Sequence, residues 1–170
     1  MSDKLSVANL KGNLTNPQRV YMWDVIIPEP VGGGDSDTLL LRARSSNIPG
    51  ESVGQITIPY KQSAGFVVPG KRTLSHTWSC DFVEGEDAKI STALRAWLHE
   101  CVNAEGVGAG DENVKRDIYL VMLSTAGVET RKVKLIGCYV QDIAEAAVSY
   151  DTEAELLYSA TFAYDEIEEG

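Results

Sequence analysis

The sequence predicts a mainly β fold, an antiparallel β-sandwich or barrel of two packed sheets with one flanking α-helix and a long extended arm between two strands. Three observations carry this. Segments such as Thr73–Phe82 and Glu155–Tyr164 alternate apolar and polar residues, as a strand with one buried face requires. Helical spacing of apolar residues is convincing in one stretch, residues 87–102. Residues 51–72 are broken by Gly54, Pro59, Gly65, Pro69 and Gly70, which suits a projecting arm better than a core element.

Residues 1–19 read as an N-terminal arm. Val20–Ile27 then sets Tyr21, Trp23, Val25 and Ile27 on one side of an extended segment, and Pro28 ends it. A glycine-rich link, Val31–Asp35, leads to a second expected strand, Thr38–Arg44, with Arg42 and Arg44 on one face. Pro49-Gly50 breaks the chain, and the arm, residues 47–73, holds two short extended pieces, Gln55–Pro59 and Phe66–Val68. Thr73–Phe82 is the cleanest strand, packing Leu74, His76, Trp78, Cys80 and Phe82 and turning Ser75, Thr77, Ser79 and Asp81 to water. In the helix, Asp87 is placed as N-cap, and Ile90, Leu94, Trp97, Leu98 and Cys101 form one stripe. Arg116–Ser124, Thr130–Val140 and Glu155–Tyr164 supply three more strands, and residues 165–170 read as an acidic tail. The 170 residues read as a single domain without internal repeats.

Charge is unevenly distributed. Up to Lys134 there are 16 acidic and 15 basic residues; from Leu135 onward there are nine acids and no Lys or Arg. Almost all of the formal net charge of -10 therefore lies in the last fifth of the chain. A chain so acidic is poorly suited to gripping phosphate backbones, because that affinity comes from Lys and Arg displacing counterions. No apolar run approaches the roughly 18 residues of a membrane helix, so no membrane anchor is expected. The first residues lack a basic-then-apolar leader pattern, so synthesis in a cytoplasm is expected.

Residues that could carry chemistry do not assemble into a site. Gly65–Arg72 has the spacing of a phosphate-binding loop, but Arg72 stands where Ser or Thr should hold Mg²⁺, and a strand, not a helix, follows. His99 and Cys101 share the helix while Cys80 and Cys138 sit on separate strands, which is not a zinc-ligand spacing. His76 faces away from Ser75, Ser79 and Asp81, so no triad forms around it. Glu168 and Glu169 fall in the terminal tail, a poor platform for acid–base work. No enzyme activity, cofactor or metal is expected.

What remains is the order of weak motifs along the chain. Asn16-Pro17 precedes the aromatic Trp23, and Ser46-Asn47-Ile48-Pro49-Gly50 turns the chain after the second strand. Gly70-Lys71-Arg72-Thr73 precedes the strand that leads into the helix. Trp97 lies mid-helix, and Phe162, Tyr164 and Asp165 close the last strand. In this order, over residues 16–166, the chain resembles the tail tube proteins of contractile-tailed bacteriophages. Tubes of bacteriocins and type VI secretion systems share that fold. The segments 31–35 and 166–170 depart from the pattern.

The resemblance implies a structural virion protein of the tail, assembled in the host bacterial cytoplasm as homohexameric rings stacked into a hollow tube. Implied partners are further copies, the sheath protein, baseplate or tail-initiator proteins, a tail terminator, a tape-measure protein, and genomic DNA passing through without specific binding. The alternative is the tube of a contractile injection or secretion system that delivers no DNA. In either role Pro49, Gly50, Ile56, Ile58, Tyr60, Phe66, Val67, Val68, Lys71 and Arg72 are the expected subunit and ring contacts, because one small domain cannot bury such an arm alone. Asp81, Asp142, Glu145, Asp151, Glu153 and Glu155 are the expected lumen or ring-face acids. They would line a bore that repels a polyanion over roughly one Debye length, about 8 Å.

Overall fold

Strands form where alternate side chains can be withdrawn from water, and the computed structural model, which describes residues 6–108 and 110–170, shows which ones. In β5 (Thr77–Val83) these are Trp78, Cys80 and Phe82, and in β8 (Leu157–Ala163) Ala160 and Phe162. β6 (Arg116–Leu123) buries Ile118 and Leu120. β7 (Glu129–Ile143) buries odd-numbered Val133 and Leu135, then switches to Cys138 and Val140. The switch falls at Gly137, whose φ of +69° is cheap for glycine alone and whose missing Cβ would lie 2.3 Å from an Asp165 carboxylate oxygen. The Asp165 amide closes the bend by donating to the Ile136 carbonyl at 2.9 Å. Thus β7 kinks, so that both of its halves present apolar residues to one core.

Pairing follows that kink. The first half of β7 lies between β6 and β9 (Glu166–Glu169), and the second half pairs with β8. The antiparallel order is β1-β6-β7-β8-β5-β2, with β1 (Trp23–Ile26) and β2 (Ala43–Ser46) at the two ends, each having a single partner. The expectation of a sandwich is met; closure into a barrel is not, because β1 and β2 do not pair. A separate two-stranded sheet joins β3 (Glu51–Tyr60) to β4 (Ser63–Leu74).

Among the described residues there are four helices rather than one: α1 (Val7–Asn13), α2 (Ser36–Arg42), α3 (Lys89–Cys101) and α4 (Asp111–Val114). α3 is the flanking helix, burying Ile90, Leu94 and Trp97 on the sheet. Trp97 stands edge-on to Phe162, ring centroids 5.7 Å apart, and its Nε1 donates to the Val114 carbonyl at 2.8 Å. A buried indole N–H thereby keeps a partner.

Several sequence expectations are corrected. Thr38–Arg44 is not one strand. Asp35 caps a helix there by accepting from the Asp37 amide and the Thr38 hydroxyl, and Leu39 alone of α2 is buried. Arg42 and Arg44 consequently lie on different elements. Thr73–Phe82 is interrupted at His76, which is exposed with φ +56° rather than packed beside Trp78, its Nδ1 3.1 Å from the Tyr164 carbonyl oxygen. Asp87 is not the N-cap of α3, although its carboxylate accepts from the Lys89 amide at 3.5 Å. That helix starts after Ala88 at φ +54°, and Glu84 takes the capping role, accepting from the amides of Ile90 at 3.3 Å and Ser91 at 2.8 Å. Residues 166–169 are not a free tail but strand β9, held by Arg72 to Glu166 at 2.9 Å and by an Arg131–Glu169 ion pair. Of the N-terminal arm, residues 1–5 lie outside the described residues.

Candidate functional site

The expected arm is a β-ribbon. Its strands meet in the pairs Ile56↔Val68, Thr57↔Val67 and Ile58↔Phe66 and turn over Lys61-Gln62, with φ +44° at Lys61. Because cross-strand partners share a face, Ile56, Ile58, Phe66 and Val68 form one apolar surface. It is partly uncovered: Ile56 is 54% exposed, Phe66 58% and Ile58 39%, while Val68 is half-buried. Gly65, at φ +74°, allows the two strands to close, since a Cβ there would sit 2.2 Å from the Ile58 carbonyl oxygen. Two-stranded ribbons are marginal in water by themselves. This one leaves its apolar side to the solvent.

The base of the ribbon is fastened. The Arg72 guanidinium meets Glu51 in a two-pronged contact, at 3.1 and 2.8 Å, and reaches Glu166 at 2.9 Å. Its proximity lowers the Glu51 pKa. Arg72, expected at a contact between copies, thus ties the arm to β9 within one chain. Pro49 is half-buried, whereas Gly50 and Lys71 are exposed at the same end of the ribbon.

The acids separate into two groups. Asp81 lies half-buried on the side of β5 away from the core and accepts hydrogen bonds from the hydroxyls of Ser45, at 2.7 Å, and Ser159. Asp142 is exposed on β7 opposite Thr161, and the hydroxyls of Ser79 and Thr161 are 3.4 Å apart. The middle of the outward face of the β7–β8–β5–β2 half-sheet therefore carries hydroxyls and carboxylates, while Val83, Leu157, Ala163 and Tyr139 lie on the same side toward its ends. Glu145, Asp151, Glu153 and Glu155 lie in the exposed connector 144–156 between β7 and β8. Arg44, at the border, is held by Glu155 at 3.1 Å.

The segment Gly65–Arg72 runs within β4, so it opens no helix that could cradle phosphate. Among the described residues no group of three His, Cys, Asp or Glu side chains could hold a metal ion. Cys80 and Cys138 are buried, and burial pushes both thiols up to about 12, far from a reactive thiolate.

Sequence reasoning missed the Arg42–Asp87 clamp, in which both carboxylate oxygens accept from the guanidinium at 2.9 Å and α2 is joined to the start of α3. Its signal was present only as two charges 45 positions apart. Arg42 holds the Asp87 carboxyl down at about 2, against an ordinary value of 3.8. A depressed carboxylate adds stability above its unfolded pKa and loses it as pH falls through the folded one. Asp87→Asn is thus expected to lower the urea midpoint of dilute protein at pH 7. The gap from the unsubstituted protein should narrow from 3.8 toward about 2. A gap that stays constant across that window contradicts the clamp.

No family model and no curated protein matches the chain. Solved structures do match. A chain of the sheath-tube complex of the PVC extracellular contractile injection system in its extended state superposes with a TM-score of 0.63 at 14% identity, covering 97% of both chains. The tube-terminating cap of the anti-feeding prophage gives 0.63 at 16% identity and 91% of both. The PVC sheath/tube terminator gives 0.64 at 17% identity, with 91% of this chain and 97% of that one. At such identities the likeness is one of fold. The resemblance to contractile-tail tube proteins is a resemblance of nearly the whole chain's architecture, shared with tube-complex and tube-terminator components.

Proposed function

We propose that the chain is a structural, non-catalytic subunit that closes into rings, six to a ring, stacked as the inner tube of a contractile tail-like particle. The observation that carries this is the uncovered apolar face of the β3–β4 ribbon, on a chain whose fold is that of tube-complex components. A ribbon that leaves one chain to cover its apolar face on the next makes a head-to-tail contact. Such contacts close around an axis into rings and propagate along it as filaments. Ile56, Ile58, Phe66 and Val68 on that face, with Tyr60 at the turn and Val67 on the reverse side, are the proposed contact, and Pro49, Gly50, Lys71 and Arg72 set its base.

In the same reading the outward sheet face bearing Asp81 and Asp142, with Glu145, Asp151, Glu153 and Glu155 beside it, faces the bore. A wall poor in cations releases no counterions to passing DNA, so DNA slides without sticking. The proposed partners are a sheath, a baseplate initiator, a terminator, a tape-measure protein and, in a phage tail, the genome. A second reading, protein delivery by an injection particle, is favoured by the source of the comparison structures, an extracellular contractile injection system and the anti-feeding prophage.

Electron microscopy of the concentrated purified protein tests both halves of the proposal. Stacked rings with the acids of Asp142 and the 144–156 connector on the bore are the expected image. Monomers at every concentration would remove the tube reading, and acids on the outer wall would remove the bore assignment alone. Nuclease-protected DNA within particles from producing cells separates the phage tail from the injection particle.

A further inference from the structure

The apolar face of the β3–β4 ribbon has a counterpart elsewhere in the chain, the connector 144–156. Between Ser52 and Gly70 the ribbon carries a single charge, Lys61 at its turn. Its ammonium lies over the Tyr60 ring, 5.6 Å from the centroid, and meets no carboxylate among the described residues. Each ribbon strand has one partner, so both outer backbone edges are free. The connector is the complement, with four acids and no Lys or Arg. Glu155 is held by Arg44, whereas Glu145, Asp151 and Glu153 have no ion pair among the described residues. Val148 is 83% exposed and Tyr150 fully so. The connector belongs to no helix or strand, and among the described residues no backbone group from Glu145 to Glu155 bonds another backbone group.

Within one chain these two surfaces leave opposite ends of β8. The ribbon is rooted beyond the last residue of that strand, where the Tyr164 amide donates to the His76 carbonyl at 3.1 Å and Arg72 reaches Glu166. The connector is rooted at the first residues, where the Ala144 amide donates to the Ser159 carbonyl and the Glu84 amide to the Leu156 carbonyl, both at 2.9 Å. The seven residues of β8 set the two roots about 20 Å apart. The Glu51–Arg72–Glu166 contacts fix the ribbon at its root, and in that position Ile56, Phe66, Val148 and Tyr150 are all more than half exposed. Copies stacked in one direction along an axis bring the ribbon end of one to the connector end of the next.

We infer that the ribbon's apolar face is covered by the 144–156 connector of a second copy: Val148 and Tyr150 pack against Ile56 and Phe66, and Lys61 meets Asp151 and Glu153. Charge and backbone together select this occupant. The exposed apolar residues of α1 and of the segment before β1 stand beside Lys11 and Arg19, the wrong sign for Lys61. The loop after α3 is acidic at Glu105 and exposes Val107, but its backbone closes on itself, the Asn103 amide donating to the Val107 carbonyl and the Gly106 amide to the Asn103 carbonyl. The connector's backbone does not, so it is free to pair with a ribbon edge. The inference rests on the tube reading and deepens it by naming what receives the ribbon; in that tube the contact lies between stacked rings, at the rim of the bore.

The test uses two separately tagged full-length proteins in a Cys101→Ser background, since Cys80 and Cys138 are buried. One carries Gln62→Cys at the ribbon turn and the other Ser149→Cys, between Val148 and Tyr150, so that neither replaces a proposed contact. They are mixed, concentrated and treated with a short bis-maleimide. A covalent dimer bearing both tags is expected, and far less of it when Val107→Cys replaces Ser149→Cys. Charge gives a second readout. Lys61→Glu should weaken assembly by about tenfold or more, because like charges then face each other, and adding Asp151→Lys and Glu153→Lys to the same chain should restore it. A mixed dimer that forms as readily with Val107→Cys overturns the inference, because the connector is then not the selected acceptor. Linking within one dilute chain carrying both Gln62→Cys and Ser149→Cys overturns it in favour of own-chain docking. Stacked rings that form without the mixed dimer and are indifferent to Lys61→Glu overturn the inference and leave the tube reading standing. Absence of any self-association in unsubstituted protein overturns both.

Discussion

Removal of residues 54–68 is expected to leave a folded protein that forms no tube at any attainable concentration. The excised segment contributes nothing to the buried core, whose residues all lie outside it. Val53, which pairs with Arg72, would be joined to Pro69, and the Glu51–Arg72 contact at the ribbon's base would stay. Stability of the monomer should therefore change by no more than about 1 kcal/mol, as for substitutions away from packed features. Assembly should change far more. Four apolar side chains, Ile56, Ile58, Phe66 and Val68, share the lost face, and burying each on a neighbour is worth about 1.5–3 kcal/mol before the cost of association is subtracted. Sedimentation with electron microscopy checks this. A shortened chain that still builds tubes shows that the ribbon is not the contact. The milder Phe66→Lys variant guards against an unforeseen effect of the deletion, since it puts a charge at the centre of the same face.

Which parts could be read from the sequence depended on what held each element in place. β5, β8 and α3 are specified by their own side chains: Trp78, Cys80 and Phe82 alternate, and Ile90, Leu94 and Trp97 make a stripe, so burial on one face writes itself into the local pattern. The arm was visible through its prolines and glycines, but not its pairing, because Lys61-Gln62 is not a glycine-bearing hairpin signal. α2 was hidden because Thr38-Leu-Leu-Leu-Arg42 suits either element, and the decision falls to Asp35 outside it. β9 was hidden for a different reason. Glu166-Ile-Glu-Glu169 has one apolar residue, and its strand character comes from the β7 edge and from Arg72 and Arg131, all distant in sequence. The kink of β7 at Gly137 likewise needs Asp165. At the proposed interface, the apolar ribbon residues were identifiable by excess: more apolar side chains than one small domain can bury. The acids were identifiable by charge asymmetry, but their division between a sheet face and a connector depends on pairing that composition does not encode.

The same substitution at two positions gives the clearest separation of what folds this chain from what assembles it. Phe162 is fully buried, with its ring 5.2 Å from Trp78 and 5.7 Å from Trp97, so it joins β8 to β5 and to α3. Phe162→Ala removes those aromatic contacts and leaves a cavity between two indoles that cannot collapse freely, because Trp97 is fixed by its hydrogen bond to Val114. The expected cost is about 3–5 kcal/mol. That is a fifth or more of the roughly 5–15 kcal/mol that holds an ordinary domain together. At about 2–4 °C per kcal/mol for a chain of this size, the thermal midpoint of dilute protein should fall by roughly 6–20 °C. Phe66→Ala removes the same atoms from a residue that is 58% exposed, and the monomer should lose no more than about 0.5 kcal/mol. Assembly should reverse the ranking: the Phe66 variant fails to associate although it is stable, while the Phe162 variant associates at temperatures below its own melting. Equal losses of monomer stability at the two sites would mean that the ribbon is packed within one chain, and the reason for seeking a second copy would be gone.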